Sequence, residues 1–403
     1  MNVVLLTNVE GNGGSAATLF HNALILRKRG WTPTFFAPGD YWKSRGAAEG
    51  VSVVNTLELR RGFHAWSLMK DFFALRRFVM EHDTDAIIVQ KSPEQWLAAL
   101  VLYSIPWHIA LIRMRGVVFE IQPSLFNRKL HNRMDAVICS ASVIAEQFRA
   151  MPGFKQEHVS VLLEGIDAEY FTPTTPERRT AARLRWELNQ NALIVGTAGR
   201  PSPVKGHEIL VRAFAMAMAD SAAFQHQNMR LAIFADESRR GKGSYKNLGD
   251  MARSLGIRER IDLVPGYVED MRLVYHALDA YILPSLGSEG SSRAALEASA
   301  CGLPLIASRV GVLPDLIKDN KSGLLVPPGN VEALAAKLTE LALTWPRYKF
   351  YGESARARIL RRFTEAQYAD KLCDVVRSAV VRQGAAIATP AVKLEDQPDS
   401  TLF

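Results

Sequence analysis

The amino-acid sequence predicts an α/β protein made of two Rossmann-like domains, each built on a parallel sheet that faces the other across a cleft. Two observations support this prediction. Short apolar runs alternate with helical periodicity along the chain, and this alternation occurs on both sides of the Pro-rich stretch 171–176. Strands separated by helices pair in parallel rather than as hairpins. With 403 residues, of which 48% are hydrophobic, the chain can bury two separate cores.

The strand candidates are short apolar runs that end at turn residues or at the start of a helical pattern. Seven fall in the first half and six in the second, at 2–8, 32–37, 51–54, 85–90, 116–122, 135–139, 159–162, 192–198, 230–235, 261–264, 279–283, 304–307 and 323–326. The predicted segments are a first Rossmann-like domain at 1–170, a linker at 171–178, a second Rossmann-like domain at 179–360, a C-terminal helix at 361–382 that crosses back to the first domain, and a tail at 383–403. The tail has scattered prolines and charges and no apolar period, so we expect it to be disordered.

The composition indicates which classes of partner the protein binds and in which cellular compartment it acts. A net charge of +8 favours an anionic partner, such as a nucleoside diphosphate, an acidic bilayer or nucleic acid. Nucleic acid ranks last because the chain has no zinc finger, RNA-binding aromatic motif or basic repeat. Cys139, Cys301 and Cys373 lie far apart, which argues against a zinc site or a disulfide framework. Met1–Asn8 lacks a basic n-region and is typical of a first strand, so we expect a cytoplasmic protein.

Glu289 and Glu297 flank a small-residue loop between a strand candidate and a helix. If most of the intervening steps are helical, they rise roughly 12 Å, which would span a diphosphate with a sugar on each side. A carboxylate accepts two hydrogen bonds from vicinal hydroxyls, which suits Glu297 to a ribose and Glu289 to a hexose. The loop amides of Gly290, Ser291 and Ser292 could face the phosphate oxygens. The alternative is that both carboxylates are surface groups near a helix start.

Arg200 and Lys205 lie on a loop that follows the strand candidate 192–198 and is stiffened by two prolines. Two cations at the start of a helix can clamp a diphosphate and stabilise it as a leaving group. The alternative is a solvated loop with ordinary surface charges.

A glycine cluster that includes Gly13 and Gly14 follows the first strand candidate and leads into a helix. Glycines at this position let the backbone approach a ligand, although a tight turn would need them equally. The acidic residue near the second strand, Asp40, lies beyond the strand end, which counts against a dinucleotide-dependent oxidoreductase. Glu10 is the carboxylate closest to the loop and is either an acceptor-orienting base or a surface turn residue.

These motifs resemble, in the same order, those of the retaining glycosyltransferases of family 4, which have the GT-B fold. The resemblance covers nearly the whole chain: Gly13-Gly14, Gly199-Arg200, Lys205-Gly206, the segment from Glu289 to Glu297, and residues 300–304. It implies that Arg200 and Lys205 bind the diphosphate, Glu297 the ribose and Glu289 the donor sugar. It also implies that Gly13 and Gly14 form a loop that closes over the diphosphate. The nucleotide sugar is then a co-substrate, and no metal or other cofactor is expected.

The chain departs from the family pattern at three places. Ser291 and Ser292 replace the usual phenylalanine and glycine or proline, which implies a more polar sugar pocket. Gln122, on the acceptor side, stands where relatives often have a histidine, so either its amide replaces the histidine's hydrogen bond to the sugar or another residue has that role. Glu164 stands where the hinge usually has asparagine, a difference that we expect to have little effect.

The acceptor has to be inferred from the first domain. Residues 96–112 form an apolar stretch with an internal proline, and residues 57–78 before it combine arginines with aromatic side chains. The stretch is too short and interrupted for a membrane span, so a core helix followed by a turn is one interpretation. The other is an interfacial helix pair in peripheral contact with the inner face of the cytoplasmic membrane.

The sequence and the resemblance together predict a cytoplasmic, metal-independent, retaining glycosyltransferase. Its donor would be a nucleoside-diphosphate sugar. Its acceptor would be a cell-envelope glycan or a lipid-linked acceptor, of the lipopolysaccharide, capsule or exopolysaccharide type. The alternatives are a GT-B nucleotide-sugar epimerase and a non-catalytic nucleotide-sugar-binding protein.

Overall fold

The computed structural model describes residues 1–11, 14–60, 64–121, 125–200, 202–220, 228–235, 244–287 and 289–388. These residues form two α/β units, each built on one parallel sheet. The predicted class of two Rossmann-like domains is therefore confirmed.

The first sheet has seven parallel strands in the order β3-β2-β1-β4-β5-β6-β7. They are β1 Asn2–Leu6, β2 Thr32–Phe36, β3 Ser52–Val54, β4 Ala86–Val89, β5 Ala110–Arg115, β6 Ala136–Cys139 and β7 Val159–Val161. The helices between them are α1 Gly14–Lys28, α2 Asp40–Glu49, α3 Ala65–Glu81, α4 Ser92–Tyr103, α5 Leu125–Asn132 and α6 Ser142–Arg149. Because each helix runs back along the sheet to reach the next parallel strand, the helix N-termini lie at the carboxyl edge of the sheet.

The second sheet has six parallel strands in the order β10-β9-β8-β11-β12-β13. They are β8 Leu193–Ala198, β9 Met229–Ala235, β10 Ile261–Pro265, β11 Ala280–Leu283, β12 Leu305–Ser308 and β13 Leu324–Val326. The helices of this half are α7 Pro176–Arg185, α8 His207–Asp220, α9 Ser244–Ser254, α10 Met271–Ala277, α11 Arg293–Ala300, α12 Leu313–Leu316, α13 Val331–Leu343 and α14 Trp345–Arg362.

The strand order of each sheet reverses between two neighbouring strands. In the first sheet these neighbours are β1 and β4, and in the second they are β8 and β11. A reversal of this kind leaves a crevice outside the carboxyl ends of the two strands, where open α/β sheets bind ligands. Each sheet therefore offers one such crevice.

The last helix, α15 Glu365–Ala388, packs on the first domain. The Tyr368 hydroxyl donates a hydrogen bond of 2.9 Å to the buried Asn22 side chain on α1. Just before this helix, the amide of Ile166 donates to the carbonyl of Phe363 over 2.9 Å. The chain therefore returns from the second domain to the first, and α15 extends into the span 383–403 that the sequence predicts to be disordered. The remainder of that span, 389–403, lies outside the described residues.

The strand predicted at 116–122 is wrong, because the strand in this region is β5 at Ala110–Arg115. The apolar stretch 96–112 is divided between α4 and β5. Arg113 obscured the strand pattern, since a charged residue is rarely buried in the centre of a sheet. Here the Arg113 guanidinium is 4% exposed and bonds to the side chain of Gln95. Burial lowers the pKa of Arg113 to about 10.

Within the described ranges, no helix combines the length and the apolar character needed to cross a bilayer.

Candidate functional site

The two sheets meet through loops at their carboxyl edges. The hydroxyl of Ser140, which follows β6, donates a hydrogen bond of 2.5 Å to the carbonyl of Gly290. Gly290 also packs against Gly116, the residue after β5, so closely that a Cβ would overlap the Gly116 carbonyl oxygen. At the start of α6, the amide of Ser142 donates to the Asp315 carboxylate over 2.7 Å. These contacts hold the loop after β11 against the first domain, so the two carboxyl edges face each other.

Lys205 and Glu289 form an ion pair of 2.6 Å beside the reversal point of the second sheet. The Glu289 side chain is buried, and the Oε1 atom that contacts Lys205 also accepts a 2.6 Å hydrogen bond from the Ser285 hydroxyl. The Lys205 side chain is 38% exposed, so its ammonium can contact a second anionic group. The site therefore combines a fixed carboxylate with an accessible cation.

The backbone explains why these two side chains meet. Residues Pro203–Lys205 form one 3-10 turn that ends at Gly206, whose φ is 68°. A Cβ at Gly206 would overlap the carbonyl oxygen of Pro284, so glycine is required for the loop after β8 to lie against the end of β11. The amide of Leu286 donates to the carbonyl of Val204 over 2.8 Å. Lys205 is thus held against the loop that carries Glu289.

Glu297 is the second buried carboxylate of the site. The Tyr275 hydroxyl donates a 2.8 Å hydrogen bond to its Oε2, and the Arg293 Nε lies 3.5 Å from its Oε1. Burial raises the pKa of Glu297, while the hydrogen bond from Tyr275 and the charge of Arg293 oppose that rise. One oxygen is therefore oriented by the core, and the other lies toward an exposed arginine.

The loop between the two carboxylates has an unusual backbone. Ser292 precedes α11 with a φ of 46°, a left-handed conformation that is uncommon outside glycine. Its hydroxyl is buried and has no hydrogen-bond partner among the residues that the structure describes. A Cβ on Gly311 would overlap the Glu289 carbonyl oxygen, which accepts a 2.8 Å hydrogen bond from the amide of Val312. Neighbouring loops thus clamp the position of Glu289.

Glu164, in the loop after β7, connects the two domains. The Thr18 hydroxyl on α1 donates a 3.3 Å hydrogen bond to the Glu164 carboxylate, and Ser291 of the second domain bonds to the same group. Burial raises the pKa of Glu164, and the nearby charge of Arg293 opposes that rise. This carboxylate, to which the sequence analysis gave little weight, lies where the two domains touch.

In the first domain, the loops after β1 and β4 are held together at the reversal point. The fully buried Glu94 carboxylate accepts hydrogen bonds from the amides of Asn8, Gln90 and Lys91 over 2.8, 3.1 and 2.6 Å. The Lys91 ammonium donates to the Asn8 side chain over 3.0 Å. Burial raises the pKa of Glu94, and the three amides oppose that rise. Glu94 therefore fixes the backbone at the carboxyl edge of this sheet.

Six of the predicted site residues lie in or beside one stretch of the second domain's edge: Lys205, Glu289, Gly290, Ser291, Ser292 and Glu297. Arg200 is exposed just beyond β8, and Gly14 is exposed at the first position of α1. Glu10 is exposed in the loop after β1. Gly13 and Gln122 lie outside the described residues. The roles of all these residues stay predictions.

Sequence reasoning missed four residues that shape this site: Ser285, Tyr275, Gly116 and Ser140. Gly116 and Ser140 directly follow β5 and β6, and Ser285 is the second residue after β11. A search of the residues after every strand could therefore have identified these three. Tyr275 lies within α10, and nothing in its local sequence links it to Glu297.

In the part of the chain that the structure describes, no three His, Cys, Asp or Glu side chains are grouped to hold a metal ion. Positive groups beside the loop include Lys205 and Arg293, and the exposed Arg200 lies just beyond β8.

Comparisons with known families and structures agree with this architecture. A family model described as glycosyl transferases group 1 matches residues 179–358, and one described as glycosyl transferase 4-like domain matches residues 13–165. Relatives include two proteins named D-inositol 3-phosphate glycosyltransferase. The one from Stackebrandtia nassauensis is 33% identical over 285 residues, which are 68% of this chain and 62% of the relative. The one from Saccharomonospora viridis is 31% identical over 249 residues, which are 61% of this chain and 56% of the relative. The matched region thus spans less than two thirds of either relative.

Solved structures resemble the chain over nearly its full length. A glycosyltransferase from Rickettsia africae has a TM-score of 0.82 at 18% identity, and the match covers 94% of this chain and 98% of that one. Anabaena HepE in complex with UDP has a TM-score of 0.78 at 19% identity, with 94% and 100% covered. The lipopolysaccharide outer core galactosyltransferase WaaB has a TM-score of 0.73 at 17% identity, with 94% and 99% covered. These similarities establish the GT-B fold.

Proposed function

The chain belongs to the glycosyl transferases group 1 family, and we propose that it is a metal-independent, retaining glycosyltransferase. Its donor is a nucleoside-diphosphate sugar. Its acceptor is a cell-envelope glycan or a lipid-linked acceptor at the cytoplasmic face of the membrane.

The observation that carries the proposal is the pairing of Lys205 with the buried Glu289 at the reversal point of the second sheet. A buried carboxylate with an accessible cation suits a ligand that has hydroxyl groups next to a negative charge, as a sugar diphosphate has. Arg200, on the same loop, adds a second cation for the diphosphate. Since these cations can stabilise the negative charge of the leaving group, the proposed reaction requires no metal.

The nucleoside side of the donor is assigned to Glu297. Its Oε2 is held by Tyr275, so Oε1 is the oxygen available to ribose hydroxyls, and Arg293 beside it is able to reorient because it is largely exposed. The amides that open α11 at Gly290, Ser291 and Ser292 would then bind phosphate oxygens between the two sugars.

In the proposed reaction, the acceptor hydroxyl approaches the anomeric carbon from the face that the diphosphate leaves. The bond from the anomeric carbon to the diphosphate oxygen breaks as the bond to the acceptor oxygen forms. The acceptor proton passes to the departing phosphate, and Lys205 stabilises the charge that develops there. Glu289 holds the sugar hydroxyls, and no side chain has to act as a nucleophile.

Exposed aromatic and basic side chains on α3 and α4 support a membrane-bound acceptor. Trp66 and Phe73 on α3 are 82% and 62% exposed, and Trp107 after α4 is 47% exposed. Arg76 and Arg77 lie on the same helix as the first two. Amphipathic aromatic rings together with basic residues are typical of surfaces that contact anionic lipid headgroups. The relatives named for D-inositol 3-phosphate make that soluble acceptor the second candidate.

The proposal is tested first with a panel of UDP-, GDP- and ADP-sugars, including UDP-glucose, the ligand named for the HepE complex. A true donor at about 100 times its dissociation constant should stabilise the protein by about 2.7 kcal/mol. The same donor should be hydrolysed slowly, with release of the nucleoside diphosphate and without inhibition by EDTA. Transfer is then measured to D-inositol 3-phosphate and to a polyprenyl-phosphate-linked sugar, and NMR of the product gives the anomeric configuration.

Glu289→Gln should reduce transfer by about 10²- to 10³-fold and leave affinity for the nucleoside diphosphate within about threefold. The matched control is Glu353→Gln, an exposed carboxylate on α14, which should behave as the wild type. Interconversion of donor sugars without nucleotide release would favour the epimerase, and binding without either reaction would favour a non-catalytic protein. Absence of stabilisation by every nucleotide sugar would refute the donor site.

A further inference from the structure

The first domain contains a pocket of about 610 Å³ between α3 and α4, away from the Glu289 loop. On one side it is lined by His64, the residue before α3, and by Ser67, Leu68 and Asp71 of α3, and on the other by Pro93, Trp96, Leu97 and Leu100 of α4. In each set the positions follow i, i+3, i+4 and i+7, so each set is one face of a helix. The two helices pack against each other, and between these faces they leave a space as large as a typical ligand pocket.

Three polar side chains in the walls of this pocket, those of Asp71, Ser67 and Arg60, have partners among the described residues. The Asp71 carboxylate accepts hydrogen bonds from the amides of Glu58 and Leu59 over 2.9 and 2.8 Å. The Ser67 hydroxyl donates to Glu58 over 3.1 Å, and Arg60 forms an ion pair of 2.9 Å with the same carboxylate. Since Leu68, Trp96, Leu97 and Leu100 supply much of the remaining wall, an apolar occupant fits the pocket best.

The direction of the helices determines where the pocket opens. It is lined by the N-terminal parts of α3 and α4, which lie at the carboxyl edge of the first sheet. Toward the other ends, Arg76 on α3 bonds to the hydroxyl of Ser104, just after α4, over 3.1 Å. Lys91, directly before α4, bonds to Asn8 at the end of β1. One end of the pocket is therefore beside the acceptor edge of the cleft.

Apolar and basic surface continues from the pocket to the outside of the domain. Leu100 is 41% exposed although it lines the pocket, and Met69 and Phe73 on α3 are 47% and 62% exposed. Arg60 and Lys70 are mostly exposed near the start of α3 and share one acidic partner, Glu58. The rim therefore carries two accessible cations, which complement a phosphate attached to an apolar chain, while the two carboxylates beside them already have partners.

From this geometry we propose that the pocket between α3 and α4 binds the hydrocarbon chain of a lipid-linked acceptor, whose phosphate lies at the basic rim and whose hydroxyl reaches the cleft. The proposal rests on the proposed function, since it assigns the apolar part of the same acceptor. It explains why two adjacent helices of the first domain keep half-exposed apolar faces beside a reversal point.

The test uses a farnesyl phosphate that carries a diazirine at its terminal isoprene unit, and a dimethylallyl phosphate with the same diazirine. After photolysis, peptide mapping of the full-length protein should locate saturable labelling by the long probe in residues 64–71 and 92–100. Unlabelled farnesyl phosphate should compete, whereas inorganic phosphate should not. Labelling by both probes alike, or labelling concentrated outside these two ranges at exposed Phe73 and Trp107, would overturn the proposal in favour of headgroup binding or general surface adsorption.

Two substitutions that fill the pocket make the test specific. Leu100→Trp should raise the half-saturating concentration of the long probe at least tenfold, and Ser67→Leu should act in the same direction if the first variant folds poorly. The control is Leu360→Trp on α14, where the leucine is 47% exposed and helical, and this variant should change the value less than twofold. Equal labelling of the pocket variants and the control would overturn the proposal.

The same variants separate this inference from the proposed function. Leu100→Trp should keep wild-type release of nucleoside diphosphate from the donor alone, because the pocket lies in the other domain. If the wild type neither binds nor hydrolyses a donor, the proposed function fails whatever the labelling shows. If donor hydrolysis is normal and the long probe does not label the pocket, only the lipid-chain assignment fails.

Discussion

The two carboxyl edges that form the cleft are built differently. In the second domain, Lys205, Ser285 and Tyr275 hold two buried carboxylates through side-chain contacts of 2.6 to 2.8 Å. In the first domain, the buried carboxylate of Glu94 accepts hydrogen bonds from three backbone amides and so stabilises the loops that contain them. The second edge thus presents fixed functional groups to a ligand, while the first presents a fixed backbone. In the proposed function, the fixed side chains of the second domain's edge bind the donor, and the fixed backbone of the first domain's edge faces the acceptor.

Replacing the lysine on each edge is the strongest test of this contrast. Lys205→Ala removes the cation beside buried Glu289, so donor hydrolysis should fall by about 10²- to 10³-fold in kcat/KM. Lys91→Ala, which removes the contact with Asn8 in the first domain, should leave donor hydrolysis within about threefold. Steady-state kinetics with the donor alone measures both values. Similar losses of kcat/KM in the two variants would show that both edges contribute to donor binding and would contradict the contrast between them.

The two domains should show a similar dependence of folding stability on pH, although their edges are built differently, because each contains a buried histidine with a lowered pKa. Burial lowers the pKa of His131 in the first domain and of His207 in the second to about 4, from an ordinary value of 6.5. Between pH 4 and 6.5 the unfolded chain binds more protons than the folded chain, so stability rises with pH through this window and levels off above 6.5. Each histidine should contribute on the order of 3 kcal/mol to that rise.

Thermal unfolding from pH 4 to 8 measures this effect. His131→Gln and His207→Gln should each flatten the acid limb of the curve while leaving the slope above pH 6.5 unchanged. A steeper acid limb in either variant would contradict the assigned direction of the pKa shift.

The contact between the edges is tested at Gly290. Because a Cβ there would overlap the carbonyl oxygen of Gly116, Gly290→Ala should push the two domains apart and reduce kcat/KM by at least about tenfold, or about 1.4 kcal/mol. Gly287→Ala is the matched control, since a Cβ at Gly287 would meet no atom within 4 Å. Small-angle scattering should show a larger radius of gyration for Gly290→Ala only. Unchanged scattering and activity would mean that the loop can move away without cost.

The smallest expected effect comes from the hydrogen bond that joins the edges at Ser140. Ser140→Ala removes its donation to the Gly290 carbonyl, which at about 1 kcal/mol should lower kcat/KM roughly fivefold. Ser254→Ala, whose hydroxyl bonds only within its own helix end among the residues described, is the comparison. A loss of activity as large as that of Lys205→Ala would show that Ser140 takes part in the reaction and does not act only as an interdomain contact.

Prediction from sequence succeeded best where a motif coincides with a strand end. The sequence assigns Lys205 and Glu289 to one predicted donor site because each follows an apolar strand, and in the structure the two side chains meet at 2.6 Å. It failed at β5, where buried Arg113 interrupts the apolar run and the strand was placed too late in the sequence. The pairing of Arg113 with Gln95 depends on packing between α4 and β5, and no local pattern encodes it.

The sequence by itself determined the two parallel sheets and the family, and it singled out the motifs that we propose bind the donor, because periodicity and short motifs are local properties of the chain. Only the tertiary structure decided that Tyr275 orients Glu297, that Glu164 lies beside Ser291 and Arg293 of the second domain, and that α3 and α4 enclose a pocket. Each of these depends on which surfaces meet after folding, between residues that are distant along the chain or on helices whose separation is set by packing. Local sequence specifies the face that a helix presents, but the space left between two faces is fixed only when both have docked on the sheet.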